Sequence, residues 1–366
     1  MSRVVFLHIG APKTGTTYLQ DRLAINAAQL AEHGVLFPTG SRFVSPETYQ
    51  FRAALDLLDQ DWGGPPGHAE GHWDTLMRKV RRSRGSVVIS HEILAPAPAD
   101  KVAKAMNDLQ GAEVHIVYSA RDLARQLPSA WQESVKQGRH WTFRRYLKRI
   151  RTGRPWIYRS LDLPRILSTW GAHLPPERVH VVTVPHQESS RRRGEELWLR
   201  FCRAFDLDPS WAPLDSERAN RSLGIAEIEL IRQLNRRLDR TTLREQPVDS
   251  LVLQLLARGE LANRSSDPVR LPPGGFDWVE EQAELWIDWL EGSGVEVIGD
   301  LDDLRPVRPP EGAPWRDPDK ARSKPVLSAA LDALEAMTRE AARRPDPARQ
   351  IAGLVRDRAD KLRGGH

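Results

Sequence analysis

Near its start the chain reads HIGAPKTGTTYLQ, from His8 to Gln20, and residue types at this spacing suit phosphate chemistry. A short apolar run stops at Gly10, Gly15 follows five positions on, and Thr16 and Thr17 open a helical pattern. The backbone N–H groups of such a loop, with the positive end of the helix, make a nest for an anion. Lys13, Thr14, Gly15, Thr16 and Thr17 are therefore the candidate phosphate contacts. In the nucleoside-triphosphatase loop, G-x-x-x-x-G-K-[ST], the lysine follows the second glycine and reaches the β- and γ-phosphates beside Mg²⁺. Here Thr16 takes that place and Lys13 lies two residues before Gly15. A lysine on the crown of the loop neutralises one phosphate and the oxygen bridging it to a leaving group. It is badly placed to clamp a triphosphate.

Transfer from such a phosphate also needs a group to take the acceptor's proton. The strand-like run VVISHE ends in His91 and Glu92, where a sheet edge would present them. Successive strand residues face opposite sides, so one of the two enters the site. Histidine has the better unperturbed pKa, near 6.5 against about 4.3, while burial raises a carboxylate toward neutrality. Other reactive types have plainer readings. Cys202 sits at helical spacing among apolar residues and reads as core. His68, Glu70 and His72 lie close together in GHAEGHW but lack the further ligands of a metal site, so no metal is assigned.

PKTGTTYL resembles the PKSGTTWL-type motif of PAPS-dependent sulfotransferases, whose loop cradles the 5′-phosphate of 3′-phosphoadenosine 5′-phosphosulfate (PAPS). The resemblance implies that Lys13 contacts this phosphate and its bridging oxygen while the following residues complete the cradle. A second match lies far along the chain. IVYSARDLARQLPSAW places Arg121 after a strand and Ser129 eight residues later, the spacing with which the family binds the 3′-phosphate. An arginine fork grips phosphate through two charge-assisted bonds and the serine adds a third. The family's Asn-Pro after the arginine is Asp122-Leu123 here, and Pro128 precedes the serine. The family's late R-K-G-x-x-G-D-W segment has ERANRSLG as its nearest counterpart, offering Arg218, Arg221 and Gly224; an ordinary loop and helix cap is the other reading. At the base position, cytosolic members of the family match His91, and carbohydrate-directed members match Glu92, which is preferred. Trp131, Gln132, Glu133 and Lys136 follow Ser129 on the expected helix, with Trp131 facing either pocket or core.

The implied activity is sulfuryl transfer from PAPS, by in-line displacement, to a hydroxyl or amine of a small-molecule, carbohydrate or lipid acceptor. It releases adenosine 3′,5′-bisphosphate and requires no metal. A P-loop kinase or nucleoside triphosphatase is the alternative, and a catalytically silent nucleotide-binding adaptor is a third reading.

A parallel sheet must position these residues, because such sheets bind ligands at the carboxyl ends of their strands. Strand-like runs occur at 3–9, 35–38, 86–91, 113–120 and 178–184, with helical patterns at 16–33, 101–110 and 161–174. Strands alternating with helices predict an α/β fold of P-loop type, its parallel sheet flanked by helices on both faces. Beyond residue 184 the pattern turns mostly helical, at 194–207, 225–240, 248–261 and 276–291. Residues 40–75, rich in Gly, Pro and aromatics, read as irregular. The expected organisation is a domain over 1–304, a Pro-rich linker over 305–325 and a helical tail over 326–366.

Bulk composition fits this reading. The 366 residues are 40% hydrophobic and 28% charged, and no run approaches the roughly 20 apolar residues of a membrane span. The short apolar start runs straight into the glycine loop and lacks the features of a signal peptide, so a cytoplasmic protein is expected. A net charge of +5, with basic clusters such as Arg191 to Arg193, suits an anionic small ligand; nucleic acid is not expected as a partner.

Overall fold

The computed structural model describes residues 3–40, 46–153, 156–186, 190–216, 222–238 and 250–343. Six strands form one parallel sheet: β1 (Arg3–His8), β2 (Val35–Leu36), β3 (Ser86–Ser90), β4 (Ala112–Ala120), β5 (Val179–Thr183) and β6 (Glu296–Ile298). Their spatial order is β2-β3-β1-β4-β5-β6. The strand that carries the glycine loop is therefore central, with β3 and β4 on either side of it. Ligands of open α/β sheets bind at such a reversal of strand order.

The described helices are α1 (Thr16–Ile25), α2 (Ala27–Glu32), α3 (Pro46–Leu57), α4 (His72–Arg82), α5 (Ala99–Asp108), α6 (Leu123–Lys136) and α7 (Phe143–Arg151). They continue with α8 (Trp156–Arg159), α9 (Leu163–Trp170), α10 (Ser190–Ala204), α11 (Ile225–Arg237), α12 (Phe276–Ser293) and α13 (Ser323–Arg343). Helices cover both sheet faces, as the alternation predicts. On one face Phe6, Val88, Val117 and Val182 pack with Leu19 and Leu23 of α1, Leu30 of α2 and Leu197 and Phe201 of α10. On the other, Val5, Leu7, Ile116 and Tyr118 are buried, and Tyr118 Oη donates to Ser160 O at 3.2 Å beside α9. Strands covered on both faces must be apolar at successive positions, which is why these runs show no alternation.

The described chain divides into two compact units. The first holds the sheet and comprises Met1–Ser134, Trp141–Asn220 and Val269–Asp319; the second comprises Val135–His140, Arg221–Pro268 and Lys320–His366. The second unit is helical, and its stretch Ser250–Glu260, expected as an ordinary helix, is π-helical.

Several local expectations change. Residues 40–75 are not irregular throughout: α3 and the start of α4 fall inside them, and Trp73, Leu76, Met77 and Val80 give α4 a buried stripe. The long helix expected over 16–33 divides at Asn26, whose amide donates to Arg22 O and Leu214 O, both at 2.8 Å, and accepts from Leu214 N–H at 3.0 Å. Strand β6 has three residues, too few for a pattern to reveal it. In the Pro-rich stretch, Arg305 and Arg308 pair with Glu284 and Glu280 of α12, and Asp319 accepts from the Phe143 N–H at 2.6 Å. Among the described residues, no helix is long and apolar enough to cross a membrane.

Candidate active site

The chain leaves β1 still paired to its neighbours. Ile9 N–H donates to Val117 O at 3.0 Å, Ala11 N–H to Ser119 O at 2.8 Å, and His91 N–H to His8 O at 3.0 Å. It then turns sharply through Lys13 (φ 68°) and Gly15 (φ 102°) into α1. Gly10 (φ 107°) has no room for a side chain, since a Cβ there would lie 3.0 Å from Glu92 Cα. Lys13 is left-handed without being glycine, a conformation that costs roughly 1 kcal/mol and that surrounding structure must impose. Two side chains of α6 and its approach impose it: Arg121 Nη1 donates to Lys13 O at 3.0 Å and Gln126 Nε2 to Pro12 O at 2.6 Å.

The loop opens α1 without a side-chain cap at Gly15. Thr16 is 3% exposed and its Oγ1 has no hydrogen-bond partner among the described residues. Thr14 differs: its hydroxyl donates to Ala11 O at 2.6 Å and lies 2.5 Å from Ser119 Oγ, so it braces the loop from within. Thr17 follows on the first turn of α1.

Beneath the loop lies a closed polar network centred on His8. Its Nδ1 is 2.8 Å from Ser90 Oγ and its Nε2 is 3.2 Å from Ser119 Oγ, so one ring nitrogen donates and the other accepts. Gln20 of α1 donates to Ser90 O, joining the helix to the same group. Burial, and then the nearby His91, hold the His8 pKa down at about 3, and the ring is neutral at working pH. His8 therefore links β3, β1 and β4 under the glycine loop.

Above the loop the groups are cationic. Lys13 Nζ lies 3.1 Å from Glu133 Oε2 of α6. Arg121, where β4 ends, is largely buried, and its Nε has no hydrogen-bond partner among the described residues. Burial first, then Arg125 and Arg193, lower its pKa to about 10 against the opposing pull of Asp122. Asp122, 1% exposed, accepts from the Arg125 N–H at 2.9 Å and pairs with the Arg125 side chain. The Arg125 fork continues to Val184 O at 3.0 Å and Pro185 O at 2.9 Å beyond β5. Ser129 lies one turn on, its hydroxyl donating to Arg125 O at 3.0 Å, so that proton must turn from the carbonyl before it can reach an anion.

The two base candidates part company at the end of β3. His91 is 8% exposed, packs 5.2 Å from the Phe51 ring, and its Nδ1 accepts from Ile93 N–H at 3.3 Å. That bond ties the His91 Nδ1 to the turn that follows the strand. Glu92 starts the short 3₁₀ turn Glu92–Leu94, half-buried against the base of the loop, with its Cβ 3.0 Å from where a Gly10 Cβ would stand.

Of the remaining expected residues, Arg218 and Arg221 lie outside the described residues. Gly224 belongs to the second unit, where it precedes α11 and a Cβ would collide with Ser266 Oγ and Glu227 Oε2. Trp131 is fully buried, donating to Trp141 O at 3.1 Å beside Phe143, and is core. His68 Nδ1 pairs with Asp61 at 2.8 Å and His72 Nδ1 faces Ala69 O, so these histidines serve local turns. Cys202 is core, its thiol pushed up to about 12 by burial.

The roles of His8, Arg125 and Glu133 were not read from sequence. A signal existed for two of them: Arg125, Ser129 and Glu133 are spaced by four on one helix and share a face.

No family model matches the chain, and no curated protein sequence matches it. Among solved structures, the chain is similar to the crystal structure of a sulfotransferase from Alicyclobacillus acidocaldarius, at 14% identity and a TM-score of 0.36. That overlap covers 67% of this chain and all of the other. The functional reading below rests on this chain's own residues.

Proposed function

We propose that the protein is a PAPS-dependent sulfotransferase, moving a sulfuryl group to a hydroxyl or amine of a small-molecule, carbohydrate or lipid acceptor. The observation that carries the proposal is Arg121. A largely buried guanidinium with an unpartnered Nε rests on the backbone of the very loop that presents Lys13 and the uncapped start of α1. Two adjoining anion subsites follow, one at the loop and one at Arg121. That is what a nucleotide with phosphates on both its 5′ and 3′ oxygens needs, and its linkage is unlike a triphosphate chain.

The residues present fit PAPS, with the buried Thr16 Oγ1 and Arg121 Nε as polar atoms still to be satisfied. PAPS supplies the activated sulfuryl group, with adenosine 3′,5′-bisphosphate as the leaving part. The amides of Gly15, Thr16 and Thr17 and the Thr16 hydroxyl hold the 5′-phosphate, while Thr14 keeps the loop in shape. Lys13 neutralises charge that develops on the bridging oxygen, the kind of electrostatic help that dominates such transfers. Arg121 holds the 3′-phosphate, and Ser129 joins it when its hydroxyl proton turns from Arg125 O to the phosphate. Glu92 takes the acceptor's proton, supported by its place at the root of the loop and by the occupied lone pair of His91.

A kinase reading would want a carboxylate at a strand end to hold Mg²⁺. Two carboxylates follow strands beside the loop: Asp122 is buried against Arg125, and Glu92 at the root of the loop is the one a kinase would use, so the preference between adenosine 3′,5′-bisphosphate and ATP·Mg²⁺ separates the two readings. The test is turnover of PAPS with a panel of hydroxyl and amine acceptors, comparing wild type with Glu92→Gln and His91→Asn. Glu92→Gln is expected to lower kcat on the order of 10²–10⁴-fold, the usual contribution of a general base. His91→Asn should change it far less. Full activity in Glu92→Gln would remove the base assignment, and no PAPS consumption with any acceptor would count against the activity.

A further inference from the structure

Helix α13 is apolar on two opposite faces. Its small residues turn inward: Ala329, Ala333 and Ala336 are buried, and the helix packs on α11 and on the π-helical stretch Ser250–Glu260. Arg264 fastens the same side, pairing with Asp332 and donating to Ser328 Oγ at 3.2 Å. Its large residues turn outward. Leu327, Leu331 and Leu334 are 61%, 58% and 61% exposed, and Met337 beside them is 38% exposed. Spacings of four and three set the leucines in one line along the helix, the seam of a helix that pairs with another. A line of leucines held in water is unfavourable until something covers it.

Two copies of the chain joined by that seam would bury only a few hundred Å² each, short of the roughly 800 Å² per partner of a standard interface. A segment of the same chain needs far less area, because its tether supplies the concentration. Such a segment begins where α13 ends. Residues 344–366 lie outside the described residues, and their sequence opens RPDP and continues ARQIAGLVRDRADKLRGGH. Pro345 stops a helix, while Asp346 before Pro347 is a start signal, an acceptor at the cap and a fixed φ in the first turn. A link this short joins antiparallel helices. Beyond it, Ile351, Leu354, Val355 and Leu362 recur at helical spacing. As a helix, Ile351 to Leu362 rises about 16 Å, and Leu327 to Met337 about 15 Å. An antiparallel register that seats Leu362 on Leu327 also seats Val355 on Leu334 and Ile351 beside Met337. Arg358 then meets Leu331, where its aliphatic stem covers the leucine while its head stays in water.

We propose that residues 347–363 fold back as an antiparallel helix on the leucine face of α13. The face is thus a docking surface for the segment that follows it, and both members of the pair belong to the second unit. Alone, a stretch of this length with Gly353 inside it is a marginal helix, so the docking is what orders it. The proposal is independent of the sulfotransferase reading.

The test is hydrogen exchange on the full chain, with mass in solution from light scattering, in wild type, Leu331→Asp and Val355→Asp. Wild type is expected to be monomeric, its amides over 349–362 exchanging at least about tenfold more slowly than those of an unfolded segment. Leu331→Asp, a change on the exposed side of α13, should return those amides to the unfolded rate and leave α11 and the sheet protected. Val355→Asp should do the same without touching α13. Fast exchange over 349–362 in wild type would overturn the proposal. Protection that persists in Leu331→Asp would also overturn it, because the segment then docks elsewhere. A dimer that Leu331→Asp splits would give the face to a second copy and overturn it too. The register has its own check: the full chain carrying Leu334→Cys and Val355→Cys should close an intramolecular disulfide, and Leu327→Cys with Ile351→Cys should not, Cys202 being buried. The reverse result would overturn the antiparallel pairing.

Discussion

The two sides of the glycine loop are built on opposite rules. Below it, His8, Ser90, Ser119, Thr14 and Gln20 satisfy one another across three strands and a helix. Above it, Thr16 Oγ1 and Arg121 Nε are buried without hydrogen-bond partners among the described residues, while Asp122 pairs with Arg125. A closed polar network makes a unique, rigid scaffold. An open one keeps its donors for a ligand, at some expense in stability. The loop's shape thus comes from below, and its chemistry from above.

That contrast makes separable predictions, because scaffold residues should govern stability and site residues affinity. The largest expected effect on stability is below the loop. His8→Phe keeps a ring of similar size but leaves the Ser90 and Ser119 hydroxyls short of a partner, and should cost about 2 kcal/mol, read from chemical unfolding. Stability should also respond to pH through this group. Its folded pKa of about 3 is below the ordinary 6.5, so the unfolded chain takes up the proton first. The contribution is therefore complete above pH 6.5 and is lost as pH falls from there toward 3, with a slope of up to about 1.4 kcal/mol per pH unit. The part of that slope due to His8 should vanish in His8→Phe; a slope identical to wild type would mean that His8 is charged when folded.

A smaller effect is expected above the loop. Lys13 and Glu133 are 19% and 25% exposed, and a pair in that setting stabilises the fold by no more than about 1 kcal/mol. In the proposed site Glu133 competes with an incoming phosphate for the lysine. Glu133→Gln should then tighten adenosine 3′,5′-bisphosphate binding by about two- to fivefold, with melting nearly unchanged. Weaker binding in this variant would show that Glu133 orients Lys13 toward the ligand instead of restraining it.

The comparison also explains what could be read from the sequence. The loop was legible because glycines at Gly10 and Gly15 answer to local backbone needs, the positive φ and the close approach of Glu92 and Leu197. The central strands were legible because burial on both faces makes them continuously apolar. The role of His8 was not: it depends on Ser90, more than 80 residues away, brought near by the sheet order. Composition misled over residues 40–75, where Gly and aromatic residues around Pro46–Leu57 hid a helix whose buried face includes Tyr49, Ala53 and Leu57. The different settings of His91 and Glu92 come from the turn after β3, which alternation along an extended strand does not foresee.

The central claim is that the loop and Arg121 form two joined anion subsites. The most direct measurement is calorimetric titration of the protein with adenosine 3′,5′-bisphosphate and with ATP·Mg²⁺, in wild type and in Arg121→Ala. The account predicts metal-independent binding of the bisphosphate in preference to ATP·Mg²⁺. It also predicts a loss on the order of 10²-fold in Arg121→Ala, from two charge-assisted bonds, with the fold intact. Preferential binding of ATP·Mg²⁺, or bisphosphate binding indifferent to Arg121, would contradict it.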